Sequence, residues 1–328
     1  MAAAGNVEVV NTAPYHGYQV LFSPYSPTKI AFTGAQNYGI QGSGVLSIFE
    51  EGANGFRDVV RFPWRDAFFG VTWSEVNEAV LVVACGDGSI VIFDQSQPQA
   101  PVSVLSGHTA EVSTVEWSIG RQEQLLLSSS WDTTVRLWDP NAQTCVSVFT
   151  GHSGIVYEAA WAPHLPHTFA SVSADGRVLV WDSSQRGSSS VVCGGGGGEV
   201  LACDWSKYDS HSLVTAGTDA CIKGWDVRRP LTPLFSFPGH TQSVRRVKCD
   251  PFHRHIVASS SYDFSVRLWD VHNPHSPLLD TILHHTEFTY GLSFSPFIQG
   301  RLADCSWDST IKLYSPPAIA LQEPAPSS

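Results

Sequence analysis

Seven aromatic residues keep time along this chain: Phe49, Phe93, Trp138, Trp181, Trp225, Trp269 and Tyr314 recur at intervals of 44, 45, 43, 44, 44 and 45. A fixed period of that length marks a repeat architecture. Each segment is then one supersecondary unit that cannot bury its faces alone, and stacked units share a continuous core. A length of 328 residues would by itself suggest two domains. The unbroken beat argues for one, over residues 1–315. Residues 316–328, rich in Pro, Ala and Ser, read as a flexible C-terminal tail.

A consensus surrounds each beat. Asp stands six residues before the aromatic in six units, at Asp87, Asp132, Asp175, Asp219, Asp263 and Asp308. Gly-His opens three units, at His108, His152 and His240, and His284-His285 holds the equivalent place in the seventh. Between the markers lie short alternating apolar runs. In the third unit they are Val112–Trp117, Leu125–Ser128, Val135–Trp138 and Val146–Phe149. Period-two runs broken by Gly, Asp, Ser and Pro read as strands, four to a unit. No stretch carries a sustained helical period.

The Gly-His…Asp…Trp-Asp pattern resembles the WD40 repeat over about residues 15 to 315, which implies an all-β, seven-bladed WD40 β-propeller. In that family the His, a strand Ser or Thr, the turn Asp and the Trp form a buried hydrogen-bonded set. Here the sets would be His108-Ser128-Asp132-Trp138, His152-Ser171-Asp175-Trp181 and His240-Ser259-Asp263-Trp269. A buried carboxylate needs such partners, so these His/Asp pairs are structural and not catalytic. The seventh unit shows three strands, and the resemblance implies that Val7–Val10 supplies the fourth as a clasp. The departures are Ser43 for Asp in the first unit, Gly194–Gly198 for Gly-His in the fifth, and Asp304 at the seventh unit's Ser/Thr position. Five glycines add backbone entropy, so the fifth unit should be the loosest.

Composition narrows the function. The net charge of −11 disfavours nucleic acid and anionic membrane, which need a basic face, and suits a basic partner. No segment approaches 18 apolar residues, and the Met-Ala-Ala-Ala start, with no basic or apolar run, reads against a secretory leader. The seven cysteines include no Cys-x-x-Cys, and Cys85 and Cys305 read as buried fillers in a reduced, cytosolic protein. The groups His164…His167, His253-Arg254-His255 and His272…His275 sit at Pro-rich turns and read as exposed loop histidines, with no metal framework. No phosphate loop and no nucleophile–base constellation exists. The chain reads as a binding protein without cofactor or metal.

In a propeller, the first residues of the inner strands and the residues before the turn Asp ring one mouth of the channel. The first set is Tyr18, Phe69, Ser113, Tyr157, Leu201, Arg245 and Tyr290. The second is Gly86, Trp131, Ala174, Thr218, Tyr262 and Trp307. Loops add Asp66, Glu111, Glu199 and Glu287. Exposed aromatics beside carboxylates suit a peptide with an apolar face and a basic residue. The peptide-binding candidates are Tyr18, Asp66, Phe69, Glu111, Trp131, Tyr157, Glu199, Tyr262, Glu287, Tyr290 and Trp307. Arg245 is a discordant cation among them.

Several segments are not repeat filler: His16-Gly17-Tyr18…Phe22-Ser23-Pro24-Tyr25, Ala35–Ile40, Arg245–Cys249, His284–Thr289 and Ala303–Asp308. Together they resemble the peroxin seven family of peroxisomal import receptors for type-2 targeting signals, from about His16 to Tyr314. The resemblance implies a cytosolic receptor that shuttles to the peroxisome. Its cargo carries an N-terminal segment of Arg, an aliphatic residue, five variable positions, His or Gln, and a second aliphatic. It also implies a co-receptor, the long form of the type-1 signal receptor, and a peroxisomal docking complex. As a helix such a segment gathers these positions on one face. Two other readings use the same fold. A scaffold or histone-tail-binding WD40 subunit would use the same mouth, and Trp225-Asp226-Val227-Arg228 has the Trp-Asp-x-Arg form of a ubiquitin-ligase substrate adaptor.

Overall fold

The computed structural model describes residues 7–118, 124–185, 189–193 and 198–320. Among them run 28 strands in seven four-stranded antiparallel sheets. Six sheets take consecutive strands from one repeat, over residues 16–64, 68–106, 112–150, 156–193, 200–238 and 244–282. The seventh combines Thr289–Phe294, Leu302–Ser306 and Thr310–Tyr314 with Glu8–Asn11 from the other end of the chain. Glu8 pairs with Leu313 and Asn11 with Thr310. The ring is a seven-bladed propeller closed by its N-terminal strand, which begins one residue later than the alternation suggested.

The periodic Asp explains why each repeat bends where it does. It sits in the hairpin between the second and third strands, and its Oδ1 accepts the backbone N–H two residues on. The six bonds, from Ser89, Thr134, Arg177, Cys221, Ser265 and Thr310, are 2.9–3.1 Å. The residue between is left-handed every time: Gly88, Thr133, Gly176, Ala220, Phe264 and Ser309 have φ of 59–82°. For an L residue that region costs about 1–2 kcal/mol. The Asp side chain holds the turn against this strain.

The core is divided among the gaps between blades. Seven apolar clusters each draw side chains from two adjacent sheets, for example Leu46, Phe62, Phe68 and Phe93 between the first and second blades. This is the burial that one repeat cannot achieve alone. Innermost strands face the channel with a free edge, and unpaired edge N–H groups need acceptors. A belt of side chains supplies them, each reaching into the next blade. Gln19 accepts from Val71 N (3.0 Å), Thr72 from Trp117 N (3.4 Å) and Glu116 from Trp161 N (2.7 Å). Glu158 accepts from Cys203 N (3.1 Å), Asp204 from Cys249 N (2.8 Å) and Ser293 from Phe22 N (3.5 Å).

One expectation changes at the end of the ring. Residues 316–319 are not a frayed tail, because Pro317–Ala320 forms a helical turn that buries Ile319 in the cluster between the last two blades. An apolar side chain with a cavity to fill outweighs a Pro-rich composition. The looseness expected of the fifth blade was drawn from Gly194–Gly198, of which 194–197 lie outside the described residues.

Candidate functional site

The His/Asp pairs form the buried sets expected of them. His108 meets Asp132 at 2.8 Å and Ser128 at 2.7 Å, and Trp138 Nε1 donates to the same Ser128 Oγ at 2.9 Å. The sets at His152 and His240 repeat this within 2.7–3.0 Å. Burial pushes Asp132 up, but bonds from Thr134 and His108 outweigh it and hold the carboxyl at about 2. Burial keeps the three histidines below their usual pKa despite the carboxylates. Each ring is spent on joining strands, and none faces the channel mouth.

Blades without the standard set find substitutes. In the fifth, Trp225 bonds Thr215 at 2.8 Å and Lys223 takes the histidine's place against Asp219. In the second, Arg65 donates to Asp87 at 2.8 and 3.0 Å. In the seventh, Asp304 accepts from His284, His285 and Tyr314 at 2.7–2.8 Å, and the other nitrogen of His285 meets Asp308 at 2.8 Å. His285 thus faces carboxylates on both sides and holds both ring protons. Burial opposes that charge, yet Asp304 and Asp308 prevail and push its pKa up to about 9. These three groups, His284, His285 and Asp304, have metal-ligand chemistry and lie within 4.8 Å of one another. Their 2.8 Å N···O spacing is that of hydrogen bonds; two ligands on a tetrahedral zinc ion stand roughly 3.3 Å apart.

At the mouth, nine of the eleven candidate residues line one cavity of about 460 Å³: Tyr18, Asp66, Phe69, Glu111, Trp131, Tyr157, Tyr262, Tyr290 and Trp307. The other two stand aside. Glu199 is next to the lining and accepts Tyr157 Oη–H at 2.7 Å, whereas Glu287 is exposed outside it. The aromatics divide by depth. Tyr18 is buried, packed edge-on against Phe69 (5.0 Å) and Tyr290 (4.8 Å), and makes a floor. Trp131 is 42% exposed and stands on the rim. Asp66 reaches the cavity across Gly86, where an added Cβ would lie 2.9 Å from its Oδ1.

The structure adds lining residues that were not among the peptide-binding candidates. Tyr38, Gly39 and Ile40 also line the cavity. They come from the link between the second and third strands of blade one, where Asn37, Tyr38 and Gly39 are consecutively left-handed. Tyr18 Oη donates to Tyr38 O at 2.7 Å, and the Tyr38 ring stacks on His16 at 4.0 Å. The eight residues between Ala35 and Gly44, against three between Cys85 and Ser89, are the signal that marks this link. Arg245 also acquires a setting. It is 5% exposed, its guanidinium lies 4.4 Å over the Tyr290 ring, and Nη1 donates to Leu201 O at 3.3 Å.

At the opposite end of the channel a second cavity, of about 380 Å³, is lined by paired charges. Glu158 pairs with Arg246 at 2.8 Å and Lys248 at 3.4 Å, and Asp204 with Lys207 at 2.9 Å. Burial pushes Glu116, on the same wall, up to about 7. One loop histidine departs from expectation: His253 is 1% exposed, bonded to Asp250 at 3.1 Å and Gln299 at 2.9 Å. The next blade covers it, which local sequence does not show. Arg228 folds back on Asp226 at 2.8 Å, so the Trp-Asp-x-Arg string is occupied with itself.

The closed ring of seven four-stranded sheets, with its recurring His-Ser-Asp-Trp sets, defines a WD-repeat propeller. Family models agree: one described as "WD domain, G-beta repeat" matches residues 99–139, and one described as "EIPR1 beta-propeller" matches 140–269. The chain is 44% identical over 306 residues to the peroxisomal targeting signal 2 receptor of Mus musculus, covering 93% of this chain and 96% of that one. It is 45% identical over 167 residues to the Homo sapiens receptor of the same name, 51% of this chain and 52% of that one. It is 40% identical over 130 residues to the Arabidopsis thaliana peroxisome biogenesis protein 7, 38% of this chain and 41% of that one. The chain belongs to the family of peroxisomal targeting signal 2 receptors.

Proposed function

We propose that this protein captures cargo by laying an N-terminal type-2 signal helix across the mouth. A cavity of about 460 Å³ admits side chains and not a helix, whose diameter is about 10–12 Å. The helix therefore spans the rim and sends one face inward. Its arginine pairs with Asp66 and Glu111, and its aliphatic residues pack on Trp131, Trp307 and Ile40. Glu199 assists through Tyr157, and Glu287 can meet the helix only beyond the cavity. A co-receptor, the long form of the type-1 signal receptor, covers the outward face, and the complex moves from the cytosol to the peroxisomal docking complex. The observation that carries this reading is the convergence of nine candidate residues on one cavity in a member of this family. No helix among the described residues is long and apolar enough to cross a membrane, which fits delivery by docking.

Fluorescence anisotropy with a labelled type-2 signal peptide tests the site. Glu111→Lys and Asp66→Lys should each weaken binding at least tenfold; unchanged affinity in both would move the site elsewhere. Rescue of reporter import in cells lacking type-2 import tests the role. Recovery of chromatin proteins or ligase subunits instead of peroxisomal cargo would favour the other two WD40 readings.

A further inference from the structure

Three carboxylates of the belt line the cavity at the end of the channel away from the peptide mouth, and one of them is left short. Glu158 gives one oxygen to Cys203 N–H and the other to Arg246 and Lys248. Asp204 gives one oxygen to Cys249 N–H and the other to Lys207. Glu116 accepts Trp161 N–H through Oε2 at 2.7 Å, and its Oε1 meets no donor among the described residues. A donor is left over on the same lining. Arg246 is 2% exposed, its Nη1 is spent on Glu158, and its Nη2 is buried without a partner. Buried polar atoms are bonded in the great majority of cases, and a charged donor loses most when it is not. An unspent guanidinium nitrogen and an unspent carboxyl oxygen on one cavity wall point to a group that comes from outside.

We propose that this cavity binds a monocarboxylate with a short apolar body, whose two oxygens bridge Arg246 Nη2 and the Glu116 carboxyl. Charge decides the class of the occupant. With Glu116 protonated, three cations, Arg246, Lys248 and Lys207, face two paired acids, Glu158 and Asp204. A cation would add to that excess. A dianion would be repelled by the two paired acids and by Glu75, which also lines the cavity. One negative charge fits, and a carboxylate presents it on two acceptor oxygens that suit charge-assisted bonds. Glu116 must hold a proton to donate to such a ligand. Burial raises its pKa to about 7 against Trp161 N–H, Lys248 and Lys207, and Asp204 adds to the rise. Leu21, Phe22, Val115 and Leu292 give the ligand's carbon body an apolar wall. The cavity's size is that of ordinary small-ligand sites, about 300–1,000 Å³. Its lining shares no residue with that of the peptide mouth, so the site stands apart from the reading of the mouth.

Calorimetric titration of the full chain with sodium hexanoate tests this. Hexanoate should bind saturably, and hexanamide about tenfold more weakly or not at all. A short peptide ending in leucine, with its terminal carboxylate free or amidated, separates two sources of the same chemistry. Tighter binding of the free-ended peptide than of hexanoate assigns the site to a chain terminus; weaker binding assigns it to a small free acid. Because the ligand needs the proton on Glu116, affinity should fall about tenfold from pH 6 to pH 8, as the protonated fraction of a group near 7 falls. Glu116→Gln carries an amide donor at every pH, so it should keep binding and flatten that profile to within about twofold. Arg246→Met should remove hexanoate binding and leave affinity for a labelled type-2 signal peptide unchanged. Should Arg246→Met lack a cooperative melt, Lys248→Met should weaken hexanoate by about fivefold. Three results would each overturn the site and leave water as its filler: no saturable binding of hexanoate or the free-ended peptide at pH 6, equal binding of hexanamide, or an unaltered pH profile on Glu116→Gln.

Discussion

Glu158 of the fourth blade and Arg246 of the sixth meet at 2.8 Å, joined across the channel past the fifth blade. Glu158 is 5% exposed and Arg246 2%. The same carboxylate accepts the Cys203 N–H of the fifth blade, so one side chain ties three blades together. Burial pushes Glu158 up, but Lys248 and Arg246 overcome it and hold the acid ionised.

Removing one side of this bridge should be worse than removing both. Glu158→Leu leaves buried Arg246 and half-buried Lys248 without their carboxylate and should cost about 3–5 kcal/mol by urea denaturation. The pair Glu158→Leu/Arg246→Met should recover a large part of that loss. A double variant less stable than Glu158→Leu would show that the bridge is not the reason for the burial.

The pH dependence of the seventh blade should run opposite to that of its neighbours. His285 has its folded pKa raised from 6.5 to about 9. Its contribution is complete below pH 6.5 and is lost as pH climbs through 9, an effect of roughly 3 kcal/mol. The stability gap between the protein and His285→Gln should therefore narrow from pH 6.5 to 9.5. His240 has its folded pKa lowered by burial, so its contribution is present above 6.5 and fades as pH falls. The gap to His240→Gln should narrow in that direction. Parallel profiles for the two variants would refute the charged assignment of His285.

Ala220 occupies a left-handed turn position, with φ of 59°, that Gly88 and Gly176 fill in other blades. Ala220→Gly should stabilise the fold by about 0.5–1 kcal/mol and so raise the melting midpoint, because relief of the strain exceeds the added entropy of the unfolded glycine. Asp263→Ala should do the reverse. It removes the acceptor for His240, Thr241 N and Ser265 N at once, at a cost of about 2–4 kcal/mol. A thermal melt in the absence of peptide reads both.

Deleting residues 1–11 should open the ring. The strand Thr310–Tyr314 would lose its outer partner and keep only Leu302–Ser306, and Arg301 would lose Glu8, leaving only Glu51 at 3.2 Å. Concentration-dependent association on gel filtration is the expected result, since an apolar edge strand is freed. A monodisperse truncation with unaltered melting would contradict it.

The aromatic beat made the blades, their number and the buried His-Ser-Asp-Trp sets readable, because each is a property of one repeat. The mouth was readable too, since a repeat position maps to a radial position: Trp131 and Trp307 could be placed there without coordinates. Features that join different repeats were not. His253 is buried by Gln299, 46 residues away, and Glu158 finds Arg246 at a separation of 88. Local composition says nothing about either partner. Lys223 stands in for a histidine by reaching Asp219 from four residues on, which a search for Gly-His overlooks. Tyr38 and Ile40 were visible only as off-pattern sequence, because their place over the mouth depends on the left-handed run through Gly39.

The seventh sheet takes its outer strand from Glu8–Asn11 and its other three from residues 289–314. A chain emerging from the ribosome can complete six blades but cannot close the seventh until Tyr314 has appeared. Throughout that interval Val10 and the first blade's open side have no covering sheet. The latch is thus made before all six complete blades and used only after them, which leaves the unclosed ring exposed to aggregation throughout that interval.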